Sequence, residues 1–343
     1  MTFSHHYVER HTGKAVAEKL FADPAVRFLY HGIRENASWM FRALTSPRAS
    51  RILAAFNYDL PFASEKRAEQ MVRDLGINRD ECLEPEALLS PRALFERKIR
   101  YWDCRPAPED PDVILSPSDS RILPLDLSPG AGIPVKGRFF DLPELVGKRP
   151  WHGRFANGRA AVFRLTPDKY HYNHSPVSGR VEEVFMVEGC CHACHPDAVV
   201  KAVSPFSKNR RLITLLDTDV PGGSGLGFVA MAEVVALMIG GLREACSERE
   251  YEDPKALRPG MFLRRGCPKT LFYPGSSTVV LLFEPGRMVL DADLVANSLR
   301  RDVPSRFSAG FGGSLVETDL RVREGIGRAV GPSAHAAQGN EFF

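Results

Sequence analysis

The chain has 343 residues, 44% hydrophobic and 25% charged, the proportions of a globular protein with length for one large or two ordinary domains. A net charge of +3 is too small to argue for nucleic acid, though a mild basic excess suits an anionic membrane surface. No apolar run reaches the roughly 20 residues of a membrane span, Met1 to His6 lacks the basic-then-apolar pattern of a leader, and seven cysteines, an odd number in a chain too large to need staples, favour a reducing cytoplasm.

Residues 13 to 60 read as helical, because Val16, Leu20 and Phe21, then Trp39, Phe41 and Leu44, then Ile52, Leu53 and Phe56 recur near helical spacing. Such interleaving of apolar and basic residues suits packing on a core, or an amphipathic face resting on a bilayer. Ser64 is the candidate cap of a further helix that places Met71, Val72 and Leu75 on one face and stops at Gly76. Ser90-Pro91 opens another, carrying Leu94, Phe95 and Ile99 inward. The texture changes at the proline-rich stretch from Arg105 to Pro111. Short β-rich runs follow at 113–115, 133–139, 160–165, 180–187, 212–216, 228–235 and 278–283. The expected class is α+β, with a helical part over 1–105 and a compact β-rich catalytic domain over 106–343.

Four stretches carry groups that can do chemistry. Asp119, in Ser116-Pro117-Ser118-Asp119-Ser120, follows a strand, and alone it reads as an Asx-turn. His171 and His174 stand three apart among Tyr170 and Tyr172, just before a Pro/Gly turn, and suit general acid–base work. A metal there lacks a third ligand of the right kind. Cys190, Cys191, His192, Cys194 and His195 crowd six residues without a second cysteine pair, so a polarisable pocket wall is the better reading than a metal knuckle. Finally, the turn Tyr273-Pro274-Gly275 delivers Ser276, Ser277 and Thr278 to the start of a very apolar strand, where a small hydroxyl can lie close to the preceding carbonyl.

Taken in order, these segments resemble the phosphatidylserine decarboxylase family over most of the chain, from about Tyr7 to Gly327. Tyr7-Val8-Glu9-Arg10-His11-Thr12-Gly13-Lys14 is similar to the opening of the bacterial branch without a transmembrane segment. Leu94-Phe95-Glu96-Arg97-Lys98 with Arg105-Pro106 looks like the family's helix and linker. Ser116 to Ser120 matches its Ser-Pro-Ala-Asp-Gly turn, and Tyr170-His171 through His174 to Gly179 its Tyr-His-Arg-x-His…Pro-x-x-Gly segment. Asn209-Arg210-Arg211 matches its Asn-x-Arg turn. Gly275-Ser276-Ser277-Thr278 stands where the family has Gly-Gly-Ser-Thr or Leu-Gly-Ser-Thr.

The resemblance implies a protein that cleaves itself between Ser276 and Ser277, leaving a covalent pyruvoyl cofactor at position 277; Ser276 offers a second frame. It implies His174 as the base of cleavage, oriented by Asp119, with His171 beside the cofactor during decarboxylation through a Schiff base. Tyr170, Tyr172, His192 and His195 are the candidate substrate-pocket residues. The expected substrate is phosphatidylserine, with the enzyme peripheral on the inner face of the cell membrane, no metal, and the two fragments joined as a heterodimer that itself could pair. The chain departs from the family at Ser276, at Lys169 where an Asp is usual, at Tyr172-Asn173, and across 190–195. These changes leave two other readings open: a pyruvoyl-dependent decarboxylase of a free, for example aromatic, amino acid, and a non-catalytic relative that binds.

Overall fold

The computed structural model describes residues 4–19, 46, 48–49, 52, 65–127, 142–190, 196–201, 208–236, 241–275 and 277–330. In chain order its strands are β1 (His6–Glu9), β2 (Ala15–Ala17), β3 (Val113–Leu115), β4 (Ser120–Asp126), β5 (Arg159–Leu165), β6 (Tyr172–His174), β7 (Gly179–Val187) and β8 (Arg211–Asp217). They continue as β9 (Phe228–Val234), β10 (Leu242–Glu244), β11 (Phe262–Leu263), β12 (Pro268–Phe272), β13 (Ser277–Phe283), β14 (Met288–Leu290), β15 (Thr318–Leu320) and β16 (Gly325–Ala329). Among the described residues ten of these form one sheet in the order β11-β7-β8-β9-β13-β5-β4-β15-β1-β2, and two three-stranded sheets, β10-β12-β6 and β14-β16-β3, pack beside it. The α+β class stands.

The strand β13 shows why the large sheet is buried on both sides. All seven of its residues are buried. Side chains alternate along a strand, and here Val280 and Leu282 join one apolar cluster while Val279, Leu281 and Phe283 join the other. Its neighbours divide the same way: Ala230 and Ala232 of β9 lie on the first side, Val229 and Met231 on the second. A near-continuous apolar run is therefore what a strand covered on both faces demands. The same parity puts Ser277 on the face of Val279 and Leu281.

That face carries the small sheet. Glu233 of β9, fully buried, accepts from Asn173 Nδ2 of β6 at 2.9 Å and pairs with Lys269 and the Thr270 hydroxyl of β12. A buried carboxylate needs such partners, because removing one would leave an uncompensated charge out of water. The cluster ties β6, which carries His174, to β9, the neighbour of β13 in the large sheet.

Most expected strands appear within a residue of their expected bounds; the run at 133–139 lies outside the described residues. The expectation of helix from residue 13 fails at Ala15–Ala17, which pairs with His6 to Val8 as a strand. Three residues with one large apolar side chain, Val16, do not fill a helical stripe, and pairing to β1 satisfies their backbone instead. Ser64 lies outside the described residues, but the helix after it runs Glu65–Leu75 and Gly76 follows at φ 64°. Ser90 caps the helix Pro91–Phe95 by accepting from Ala93 N, yet that helix ends before Ile99, which is buried from a bridge to Cys82. The strand β4 escaped notice because Pro124 interrupts it. β15 pairs only with Ser120 to Ile122, so at Pro124 one edge of β4 lacks that partner, where a missing N–H is tolerated.

Candidate active site

Ser277 opens β13 opposite Leu165 of β5. It is fully buried, and among the described residues its Oγ has no hydrogen-bond partner. A buried hydroxyl left unpaired costs about 1–3 kcal/mol and calls for an explanation; the Thr278 hydroxyl next to it is likewise without a described partner. Gly275 in the turn before it takes φ 142°, open to glycine and strained for other residues.

His171 faces this turn. Its Nε2 lies 3.1 Å from the Gly275 carbonyl and its Nδ1 2.8 Å from the Lys169 carbonyl. The ring packs edge-on against Phe95 at 4.9 Å between centroids. Burial, with a nearby Arg97 guanidinium, pushes the imidazole down to about 4, so at neutral pH it carries one N–H for two carbonyls. Thus no carboxylate among the described hydrogen bonds stands in for the acid that Lys169 replaces; Lys169 itself pairs with Asp319 at 2.6 Å.

His174 is set differently. Its Nδ1 lies 2.8 Å from the Gly266 carbonyl and its Nε2 3.0 Å from the Tyr170 hydroxyl. The ring meets Tyr101 edge-on at 4.7 Å, and burial drives its imidazole down to about 3. The expected hydrogen bond from His174 to Asp119 is not formed. The Asp119 carboxylate is gripped in bidentate fashion by Arg105, at 3.1 and 3.0 Å, and accepts from Val322 N at 2.8 Å. A planar guanidinium fork matches a carboxylate better than one imidazole N–H does. Burial alone would raise the Asp119 carboxyl, but Arg105 outweighs it and holds the group below the usual carboxylate range. Burial and the Arg323 charge push the His174 imidazole down, and the Asp119 charge, the weakest of these influences, only partly opposes them. Asp119 is more than an Asx-turn residue.

Of the expected pocket residues, Tyr170 and Tyr172 are buried and stacked, 5.5 Å apart at 18°. Their phenols are raised by burial, and Tyr172 hydrogen-bonds to Arg243. Ser276, His192 and His195 lie outside the described residues. Arg105 went unassigned in the sequence although Arg105-Pro106 stood out; an Arg ahead of a lone buried Asp was the available signal.

Among the described residues one set could hold a metal by ligand type: His5, Glu18 and Glu317, whose ligand atoms lie within 4.8 Å of one another. The carboxylates are already engaged, by Arg164 at 2.6–3.0 Å and by Arg121 at 2.6 Å. His5 Nδ1 accepts from Arg306 N, which leaves the ring proton on Nε2, directed at Glu317. The set is an ion-pair cluster joining the N-terminal strands to β5.

The model of the family described as phosphatidylserine decarboxylase matches residues 92–307, more than half of the chain. A protein from Chlamydia trachomatis serovar D named phosphatidylserine decarboxylase proenzyme is 26% identical over 337 residues, covering 94% of this chain and 96% of that protein. A phosphatidylserine decarboxylase proenzyme 3 from Schizosaccharomyces pombe is 27% identical over 330 residues, where this chain spans only 31% of the relative. A proenzyme 2 of the same name from Oryza sativa subsp. japonica is 31% identical over 254 residues, 72% of this chain and 38% of the relative. The match places the chain among carboxy-lyases. The chain belongs to the phosphatidylserine decarboxylase family.

Proposed function

We propose that the chain is a precursor that cuts itself between Ser276 and Ser277 and then converts phosphatidylserine to phosphatidylethanolamine and CO₂. The observation that carries this reading is the buried, unpartnered Ser277 Oγ at the head of β13, behind a turn held by His171. Ser277 Oγ attacks the Ser276 carbonyl; the new C–O bond replaces the C–N bond, and the amide nitrogen takes a proton. Loss of the Ser277 Cα proton to a base then breaks Cβ–O, freeing the Ser276 carboxylate. Water replaces the nitrogen, released as ammonia, and leaves a pyruvoyl group on residue 277. That group supplies an electrophilic carbonyl and an electron sink for decarboxylation.

The residues here fit such a group. Position 277 is small and buried, two residues after the carbonyl that His171 meets, so the group's own carbonyl would sit away from bulk water. His174 is the base of self-cleavage, and its pKa, far below neutrality, keeps it unprotonated and able to accept. With both nitrogens engaged, it receives a proton either through the Tyr170 hydroxyl or after leaving it. The two fragments stay together as a heterodimer because β13 is laced between β5 and β9 along its length. We place the protein peripherally on the inner face of the cell membrane: its substrate is a membrane lipid, and no described helix is long and apolar enough to cross one.

Intact-mass measurement tests self-cleavage: the expected species are residues 1–276 and a pyruvoyl-blocked 277–343. CO₂ release from phosphatidylserine vesicles tests the substrate. Release only from free amino acids would replace the lipid by a soluble amine, and an uncut chain after long incubation would make this a binding relative.

A further inference from the structure

The buried polar cluster between the small sheet β10-β12-β6 and the large one leaves an acceptor over. Asn173, Glu233, Lys269 and Thr270 are all fully buried. Glu233 Oε2 pairs with the Lys269 ammonium, while Oε1 accepts from the Thr270 hydroxyl and from Asn173 Nδ2 at 2.9 Å. The same Nδ2 donates to the Thr270 oxygen at 3.1 Å. A carboxylate held by an ammonium only accepts, so the amide cannot be turned over: its nitrogen faces Glu233 and its oxygen faces away. That oxygen, Asn173 Oδ1, is buried and has no partner among the described residues.

Strand register puts Asn173 in the layer that residue 277 faces. Val279 of β13 stands opposite Glu233 of β9, and Ser277, two residues earlier on the same face, is the diagonal neighbour of Glu233. Such neighbours lie about 7–8 Å apart, within reach of a long side chain. Two contacts lay residues 171 to 173 along this face. His171 meets the Gly275 carbonyl, two residues before Ser277, and Asn173 meets Glu233, level with the residue two after it. Position 277 falls between those contacts. The Thr214 hydroxyl, also unpaired on this face, is further off, opposite Met231 and level with Leu281.

A pyruvoyl group at 277 offers this oxygen no hydrogen bond, since carbonyl oxygens accept and do not donate. A primary amine approaching that carbonyl brings N–H donors and satisfies the atom that the cluster leaves over. We infer that Asn173 is a binding residue for the primary amine that position 277 captures, its Oδ1 accepting an N–H while Glu233, Lys269 and Thr270 hold the amide in place. Capture forms a C=N bond to the amine nitrogen and releases the carbonyl oxygen, with two protons of that nitrogen, as water; Asn173 neither gains nor loses a proton. This rests on residue 277 becoming a pyruvoyl group.

The test uses the processed full chain and ethanolamine, an amine with no carboxylate to lose. Cyanoborohydride fixes the captured amine on the fragment 277–343, where intact mass counts it. Borohydride in a parallel sample reduces the free carbonyl, a reaction that needs no N–H contact. Asn173→Leu, and Asn173→Thr as a smaller variant that keeps a hydroxyl for Glu233, should each raise the half-saturating ethanolamine concentration about tenfold, the effect of losing one hydrogen bond in a buried site. Borohydride reduction of the same fragment should not change. Unaltered capture in both variants would overturn the assignment. So would an equal loss of borohydride reduction, which marks a distorted site, or absence of the fragment 277–343 from both variants, which would give the amide to the precursor instead. A wild-type chain that stays uncut, or carries serine at 277 after cleavage, would remove the cofactor reading itself, and this assignment with it.

Discussion

Replacing Ser277 by alanine separates a chemical role from a structural one. The side chain is fully buried and its Oγ has no described partner, so the substitution deletes a hydroxyl that folding had stripped of water. Burying such a group costs about 1–3 kcal/mol, against which the dispersion attraction of a single oxygen is small. Ser277→Ala should therefore gain about 1 kcal/mol, which for a chain of this size raises the melting temperature by about 2 °C. It should remain a single full-length species by intact mass and release no CO₂. A serine kept for structure behaves oppositely: losing a net hydrogen bond costs about 1 kcal/mol, and the variant would melt below the processed wild type. That lower melting point, or normal cleavage before residue 277, would refute the reasoning. Cleavage one bond earlier, after Gly275, would hand the role to Ser276.

His171→Ala should still cleave but lose most decarboxylation, measured as CO₂ from phosphatidylserine vesicles; full activity would remove His171 from the reaction. Arg105→Met should cost about 3–5 kcal/mol in urea denaturation, because it strands the Asp119 carboxylate in the interior, and adding Asp119→Asn should recover part of that loss. Acid should destabilise the fold through the two histidines. Their folded values, about 4 and about 3, lie below the ordinary 6.5, so their contribution is fully present above pH 6.5 and is lost as pH falls towards those values. At about 1.4 kcal/mol per unit and site, the uncleaved Ser277→Ala variant should lose roughly 5 kcal/mol between pH 6.5 and 4.5, read from urea midpoints. A flat profile there would mean that the rings are not buried neutral.

The large sheet was legible because its strands are apolar on both faces, and a run such as Val279 to Phe283 has few other uses. The N-terminal strands were not. Val16 sits in a three-residue strand whose partner, β1, pairs in parallel with β15, and a pairing across some 300 residues leaves no local period to read. The candidate residues Ser277, His171, His174 and Asp119 could be picked out from the sequence, but the partners that the structure gives them could not. Which partner a buried carboxylate takes depends on what else reaches it, and Arg105 arrives from a short helical turn (Tyr101–Cys104) that composition does not reveal.

The proposed site of cleavage would let the protein break its own chain and keep its fold. A cut there would fall at the first residue of β13, so no ladder hydrogen bond within the strand would be severed. From Thr278 to Phe283 every residue stays paired to β5 on one side and β9 on the other, and Ser277 itself to β5. The later strand β15 holds β4 and β1, both from the other fragment. Separating the fragments would mean withdrawing a fully buried strand from the middle of a sheet and unzipping a second one nearer its edge. Dissociation therefore coincides with unfolding. Processed protein should elute from a sizing column as one species containing both fragments, up to the urea concentration at which its circular dichroism collapses. Recovery of free 277–343 below that concentration would show that β13 is not held as its pairing requires.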